Sequence, residues 1–211
     1  MVIAVSPILA YQSEKLQLEQ IKQLEQLEQL EQVKQVEQVP QKFLSLEEFI
    51  AHPPERMEWV DGQLVEKTGM GFKHGRTQAK LATQWRNYQN SSGQGGEVIT
   101  EVLCRTQKQC RKPDVAYLTP ELIPTDDLTI FPQSFPLIAE VVSPDDSAEE
   151  LFAKAQEYLE SGCQEVWLLF PEAKLILVND RQRWLLFNAG EIVSTQNFLL
   201  GFSVAVNELL A

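Results

Sequence analysis

The sequence predicts an α/β (α+β) domain, a mixed central sheet flanked by helices, over residues 41–211. Three observations predict it. Short apolar runs bounded by Gly, Pro and Asp turns read as strands, and two longer segments carry apolar residues at helical spacing. Strands and helices are interspersed along the chain and do not segregate into halves. With 211 residues, 44% of them hydrophobic and 23% charged, the chain is long enough to fill one core.

Ser45 stands before LEEFI with Glu48 three residues on, which is the capping-box spacing for a short helix ended by Pro53-Pro54. MEWVDGQLVE, from Met57 to Glu66, reads as a hairpin turning at Asp61-Gly62. A loop over 69–75 leads into a helix from about His74 to Tyr88, with His74, Gln78, Leu81, Trp85 and Tyr88 close to one line. After a glycine-rich loop ending at Gly96, one strand is expected over Glu97–Arg105, then a short one over Asp114–Leu118. Leu137–Val142 is nearly continuous in apolar residues, as a strand covered on both sides should be. Ser147–Glu160 reads as a helix burying Leu151, Phe152, Ala155, Tyr158 and Leu159 and stopped by Gly162. Glu165–Phe170, Lys174–Asn179 and Trp184–Phe187 read as further strands, and the tail FLLGFSVAVNELL packs back on the sheet.

Residues 1–40 form a repetitive Leu/Glu/Gln extension. From Leu24 to Val39 the apolar residues recur at every third position, whereas a coiled-coil seam needs an average of about 3.5. Steps of three advance about 300° in an α-helix, so the apolar stripe winds round the barrel. A weakly helical or flexible arm is expected; its leucines permit a homodimer, but their period does not favour one. Pro40 would stop a helix and marks the expected boundary.

The three cysteines have neither disulfide-framework nor zinc-ribbon spacing, and there are only two histidines, so reduced thiols and no zinc site are expected. No basic n-region and no apolar run of membrane-spanning length stands in the sequence, so a cytoplasmic protein is expected. The net charge of −12 argues against a non-specific nucleic-acid coat, yet not against a nuclease whose carboxylates are neutralised by cations.

Glu140 is the sharpest anomaly, a carboxylate inside an otherwise uncharged strand. Burying it is costly unless it is paired or bound to a cation. Asp114 opens the preceding strand in the run CRKPDVAYL. Two acids at the ends of neighbouring strands can converge on one hard divalent cation, magnesium with manganese as an alternative, with water completing the shell. Glu58 could add a third oxygen, and Lys154, at the border of its helix's buried face, could orient water and offset developing charge. Other roles stay open: an ion pair of Glu140 with Lys154 or Arg111, a turn carboxylate at Asp114, a solvated Lys154, and a half-buried His74 next to Gln78. Asp145, Asp146, Glu149 and Glu150 suit a helix N-terminus. Arg105, Lys108, Arg111 and Lys112 form the one dense basic patch, either a phosphate-contacting edge or a solvated loop.

Several pieces together carry a resemblance: LSLEEFIAHPPERMEWVDGQLVE, His74 at the head of the long helix, KPDVAYL, IAEVVSPDDS, KAQEYLESGCQEVWLLFPE and LLGFSVAVNELL. In this order, from about Phe43 to Leu210, they resemble the Uma2 family of restriction-endonuclease-like domains, abundant in cyanobacteria and related to the PD-(D/E)XK nucleases. The resemblance implies a restriction-endonuclease-like core with Asp114 and Glu140 as metal-binding acids and Glu58 as an accessory acid. The superfamily lysine would stand at Val142; here its matching place is Lys154 on the next helix. The activity implied is magnesium-dependent hydrolysis of phosphodiester bonds in nucleic acid, DNA foremost. The alternative is a catalytically inactive nuclease fold that binds nucleic acid or protein.

Overall fold

The computed structural model describes residues 45–67 and 71–211, which fall in one compact unit. The repetitive arm and the boundary expected at Pro40 lie outside the described residues. Helix α1 (Leu46–Ala51) begins at the expected capping box: Ser45 Oγ accepts the Glu48 N–H at 3.1 Å, and the Glu48 carboxylate accepts the Ser45 N–H at 2.9 Å. Strands β1 (Met57–Val60) and β2 (Gln63–Glu66) turn through Asp61 and Gly62, both at positive φ, as a two-residue hairpin demands.

The principal sheet is built from β3 (Glu97–Thr100), β6 (Val115–Leu118), β8 (Leu137–Val141), β9 (Glu165–Phe170), β10 (Leu175–Asn179) and β11 (Trp184–Asn188). Their order is β11-β10-β9-β8-β6-β3, with β8 and β9 parallel and the other pairs antiparallel. A parallel pair needs a crossover, which α3 (Ala148–Glu160) supplies. Ser147 caps it by accepting the Glu150 N–H at 3.2 Å.

Both faces of this sheet are covered, which is why β8 and β9 read as almost unbroken apolar runs. On one face α2 (Phe72–Ser92) presses Leu81 and Trp85 against Val115, Ala139, Trp167 and Leu169. Trp85 and Trp167 meet edge to face, 5.6 Å between centroids. The ribbon of β12 (Ile192–Ser194) and β13 (Ser203–Ala205) with α4 (Val206–Leu210) completes this layer, so the tail packs back on the sheet. On the other face α3 sets Ala155, Tyr158 and Leu159 against Ala116, Ile138, Val166 and Leu168. A second sheet carries the hairpin in the order β2-β1-β5-β4-β7, where β4 is Leu103–Arg105, β5 is Cys110–Arg111 and β7 is Ile130–Phe131.

Three expectations need correction. The long helix runs past Tyr88 to Ser92 and stops only where Gly93 adopts the left-handed conformation. The single strand expected over 97–105 is two strands in different sheets, because Glu101 takes positive φ and redirects the chain. Phe152 does not join the core; it is 40% exposed and packs edge to face on Trp184. The three cysteines are buried free thiols.

Gly96 lies at φ 85°, and a Cβ there would stand 2.3 Å from the Leu118 carbonyl oxygen; Gly93 shares the positive φ but has open space around it. Gly96→Ala is therefore expected to cost about 3 kcal/mol and Gly93→Ala only about 1 kcal/mol, read from urea midpoints of the two variants.

Candidate active site

Strand register sets the two central acids side by side. β6 and β8 pair with Val115 opposite Ala139 and Ala116 opposite Ile138, so the next position along this register sets Asp114 against Glu140. Directly opposed residues share a face and hold their Cβ atoms about 4.5–5.5 Å apart, where like charges destabilise. Asp114 is tied to the neighbouring strand as well, because its Oδ2 accepts the Val141 N–H at 2.7 Å. Both acids are buried, Asp114 at 1% exposure. The pair survives because cations reach it from three other elements.

Lys67, just beyond β2, places its Nζ 2.6 Å from Asp114 Oδ1 and donates to the Lys112 carbonyl at 2.7 Å. His74, in the first turn of α2, lies with Nε2 3.3 Å from Asp114 Oδ2. One turn on, Gln78 donates to the Asp114 carbonyl at 3.0 Å and to Glu101 at 3.1 Å. From α3, Lys154 stands 3.0 Å from Glu140 Oε1 and 3.0 Å from Glu58 Oε1. Tyr158, one turn after Lys154, donates its hydroxyl to Glu140 Oε1 at 2.7 Å. Glu58 on β1 is held in turn: Oε1 accepts the Lys112 N–H at 2.8 Å and Oε2 faces Arg111 at 3.2 Å. Arg111 also grips Glu157 of α3 at 2.7 Å.

These contacts set the charge states. Burial alone would raise the Asp114 carboxyl pKa, but the His74 hydrogen bond and the Lys67 charge hold it well below the usual carboxylate range. Glu140 is pushed up by burial and by the Asp114 charge, against the pull of Lys154. For Lys154 burial works downward, yet Glu140 and Glu58 outweigh it and the ammonium stays charged. Burial likewise opposes, and Glu140 with Asp114 overcomes, at Lys67. Glu58 stays ionised because Lys154 and Arg111 overcome its burial.

Asp114, Glu140, Lys154, Glu58, His74 and Arg111 all line one open cleft of about 720 Å³, together with Lys67, Lys108 and Glu157. Asp114, Glu140, Lys154, Glu58, His74, Gln78 and Arg111 therefore gather at this end of the sheet, and Lys112 joins them chiefly through its backbone, whereas Arg105, Asp145 and Glu149 do not line the cleft. The basic patch does not stay solvated as a unit: Arg111 is absorbed by Glu58 and Glu157, and Lys112 Nζ is 3.9 Å from Glu101. Sequence reading missed Lys67, Glu101 and Glu157. Glu157 carries a usable signal, standing three residues after Lys154 on one helix face. Lys67 carries none, because only pairing of the hairpin with β5 brings it to Asp114.

Among the described residues no group of three or more His, Cys, Asp or Glu side chains forms a cation cage. Two neighbouring acids are oxygen donors of the kind a hard divalent cation takes, with water completing its shell. Asp114 Oδ1 is buried and accepts no hydrogen bond of regular geometry, with only the Lys67 charge beside it. Asp114 and Glu140 are the two neighbouring acids that could offer oxygens to a cation, and each is already paired with a lysine.

Removing Lys154 leaves Glu140 and Glu58 without their shared cation, so Lys154→Met should cost about 3–5 kcal/mol near pH 7. Acidification should relieve that loss, since a carboxylate with a raised folded pKa destabilises only as pH climbs past its unfolded value. Urea titrations at pH 5 and pH 7 measure both. His74 behaves oppositely to a group depressed by burial: burial lowers its pKa, but Asp114 raises it above the ordinary value of about 6.5. Its pairing energy is complete below that value and is lost as pH rises through the folded pKa. An NMR titration of the imidazole should show the raised midpoint fall in Asp114→Asn.

Comparison with known proteins places this architecture. The profile of the Uma2 family, described as "Putative restriction endonuclease", matches residues 40–207. The fold is similar to a crystal structure of a DUF820 protein from Anabaena variabilis ATCC 29413, described as a putative nuclease. That match has a TM-score of 0.72 and 20% identity, and covers 79% of this chain and 97% of the other. No curated protein matches the chain. No helix among the described residues is long and apolar enough to cross a membrane. With most of its length matched by the family profile, this chain belongs to the Uma2 family.

Proposed function

We propose that this protein is a magnesium-dependent endonuclease that hydrolyses phosphodiester bonds in nucleic acid, DNA foremost. The observation that carries the reading is the opposition of Asp114 and Glu140 at the floor of one open cleft, with the charged amine of Lys154 beside them. Family membership supports the reaction class. Asp114 and Glu140 would hold the cation, with manganese as a substitute. A magnesium ion held by these two carboxylates would supply Lewis acidity to a phosphodiester and a lowered pKa to bound water.

The chain's own groups divide the remaining work. Lys154 keeps its proton, so it does not serve as a general base; it orients an attacking water and offsets charge growing on the phosphate oxygens. Glu58 positions Lys154, because it spans from the Lys154 amine to Arg111 and the Lys112 N–H. Tyr158 fixes the Glu140 carboxylate from the core side. His74 and Lys67 keep Asp114 ionised. In-line attack of water on phosphorus breaks a P–O bond, leaving one phosphate end and one hydroxyl end.

One observation favours a second reading, a nuclease fold that binds without cleaving: Asp114, Glu140 and Glu58 already have cationic side-chain partners. Cleavage of supercoiled plasmid and of single-stranded oligonucleotide separates the two. Wild-type protein should nick with magnesium or manganese and not with EDTA, and Asp114→Asn and Glu140→Gln should lose at least a hundredfold in rate while staying folded. No cation-dependent cleavage by folded wild-type protein on either substrate would leave the binding reading.

A further inference from the structure

We infer that the β10–β11 turn, with Arg181, Arg183 and Trp184 beside Phe152 of α3, is a binding surface for a single-stranded segment of nucleic acid leading into the cleft. The inference rests on the nuclease reading for its class of ligand, and it begins from charge. Phosphates entering the cleft need cations that carboxylates have not already taken; Lys67, Arg111 and Lys154 are consumed by Asp114, Glu140, Glu58 and Glu157, which leaves the exposed Lys108 at the cleft rim. Glu150 and Glu160 on the cleft wall would repel a phosphate chain. The basic loop before Asp114, which the sequence offers as the phosphate edge, gives up Arg111 to Glu58 and Glu157, so a strand held only at Lys108 would gain from further cations outside the cleft.

The arginines of the β10–β11 turn are not spent. Both are exposed, and among the described residues neither forms an ion pair with a carboxylate. The turn that presents them is held by its own polar groups. Asn179 Oδ1 accepts the Arg181 N–H at 2.8 Å, while Asp180 Oδ1 accepts the N–H groups of Gln182 and Arg183, each at 3.0 Å. Those bonds hold the Asp180 carboxylate to the turn's backbone, with the Arg183 charge adding to them, and both arginines stay exposed.

Apolar stacking surface lies in the same place. Trp184 is 37% exposed and Phe152 is 40% exposed, and their rings meet edge to face with centroids 5.1 Å apart. Such a pair inside a core would be hidden; here more than a third of each side chain is open to solvent. Unstacked bases bind such faces whatever their sequence, and cations beside them track the phosphates. Duplex bases are already stacked and cannot use the rings in this way.

Position connects the surface to the chemistry. The depression beside the turn is lined by Arg181, Arg183, Trp184, Gln156 and Glu160. Gln156 and Glu160 also line the catalytic cleft, so the two depressions meet along the outer face of α3. A strand crossing α3 at Gln156 passes from the arginine turn to the side of the helix that carries Lys154 and Glu157.

Fluorescence anisotropy of a labelled single-stranded oligonucleotide with the full chain in EDTA tests this apart from cleavage. Reversing both arginines, Arg181→Glu with Arg183→Glu, should weaken binding at least tenfold and flatten the slope of log K against log salt by about 1.4, at about 0.7 per lost single-strand phosphate contact. Trp184→Ala should weaken binding about fivefold or more with the salt slope unchanged. Thermal melting checks that these exposed positions leave the fold intact. Unchanged affinity in all folded variants, tighter wild-type binding to duplex than to single strand, or no oligonucleotide binding by wild-type protein would each overturn the inference. The nuclease reading is judged separately by the cleavage of the Asp114→Asn protein. Loss of binding in the variants of a wild-type chain that never cleaves would keep this surface and discard the nuclease.

Discussion

Two buried carboxylates opposed across an antiparallel strand pair form the constraint around which this end of the molecule is organised. Left alone, Asp114 and Glu140 would repel one another in a poorly hydrated place, at a cost of several kcal/mol per charge. Lys67 from the hairpin, His74 from α2 and Lys154 from α3 answer that cost from three directions. A buried network of this kind roughly balances desolvation against attraction, so it adds little net stability. Its consequence is positional: four elements far apart in sequence must arrive at one sheet end together.

Stability comes from the apolar layers on either side of the principal sheet. Trp85 against Trp167 anchors one layer, and Tyr158 anchors the other. Tyr158 joins the two roles, because its ring lies in the α3 layer while its hydroxyl reaches Glu140. Helix α3 is thus divided by face. Ala155, Tyr158 and Leu159 enter the core, Lys154 and Glu157 border the cleft, and Gln156 and Glu160 face outward. One helix sets the floor, the charge and the outer rim of the same site.

The electrostatics of the whole chain sharpen this division. At a net charge of −12 the protein repels polyanions at long range, and screening confines that repulsion to roughly 8 Å at physiological salt. Local placement of cations then matters more than their number. Arg111 and Lys154 serve the interior of the site, whereas Arg181 and Arg183 remain on the surface. A count of basic residues along the sequence cannot tell these two uses apart.

Much of the fold was legible in the sequence because its signals are local. The Ser45–Glu48 box, the Asp61-Gly62 turn, the apolar run around Glu140 and the start of α3 at Ser147 each depend on neighbours a few residues away. Glu140 and Asp114 stood out for the same reason, as charges beside or within apolar strands. Phe152 was misplaced because helical periodicity marks a face and not its edge, and the strand over 97–105 because nothing local announces the positive φ of Glu101. The opposition of Asp114 and Glu140, the approach of Lys67 and the neutralisation of Arg111 were decided only by tertiary structure. They follow from strand register and from the packing of the hairpin and α3 at one sheet end, which are long-range pairings that no window of sequence contains.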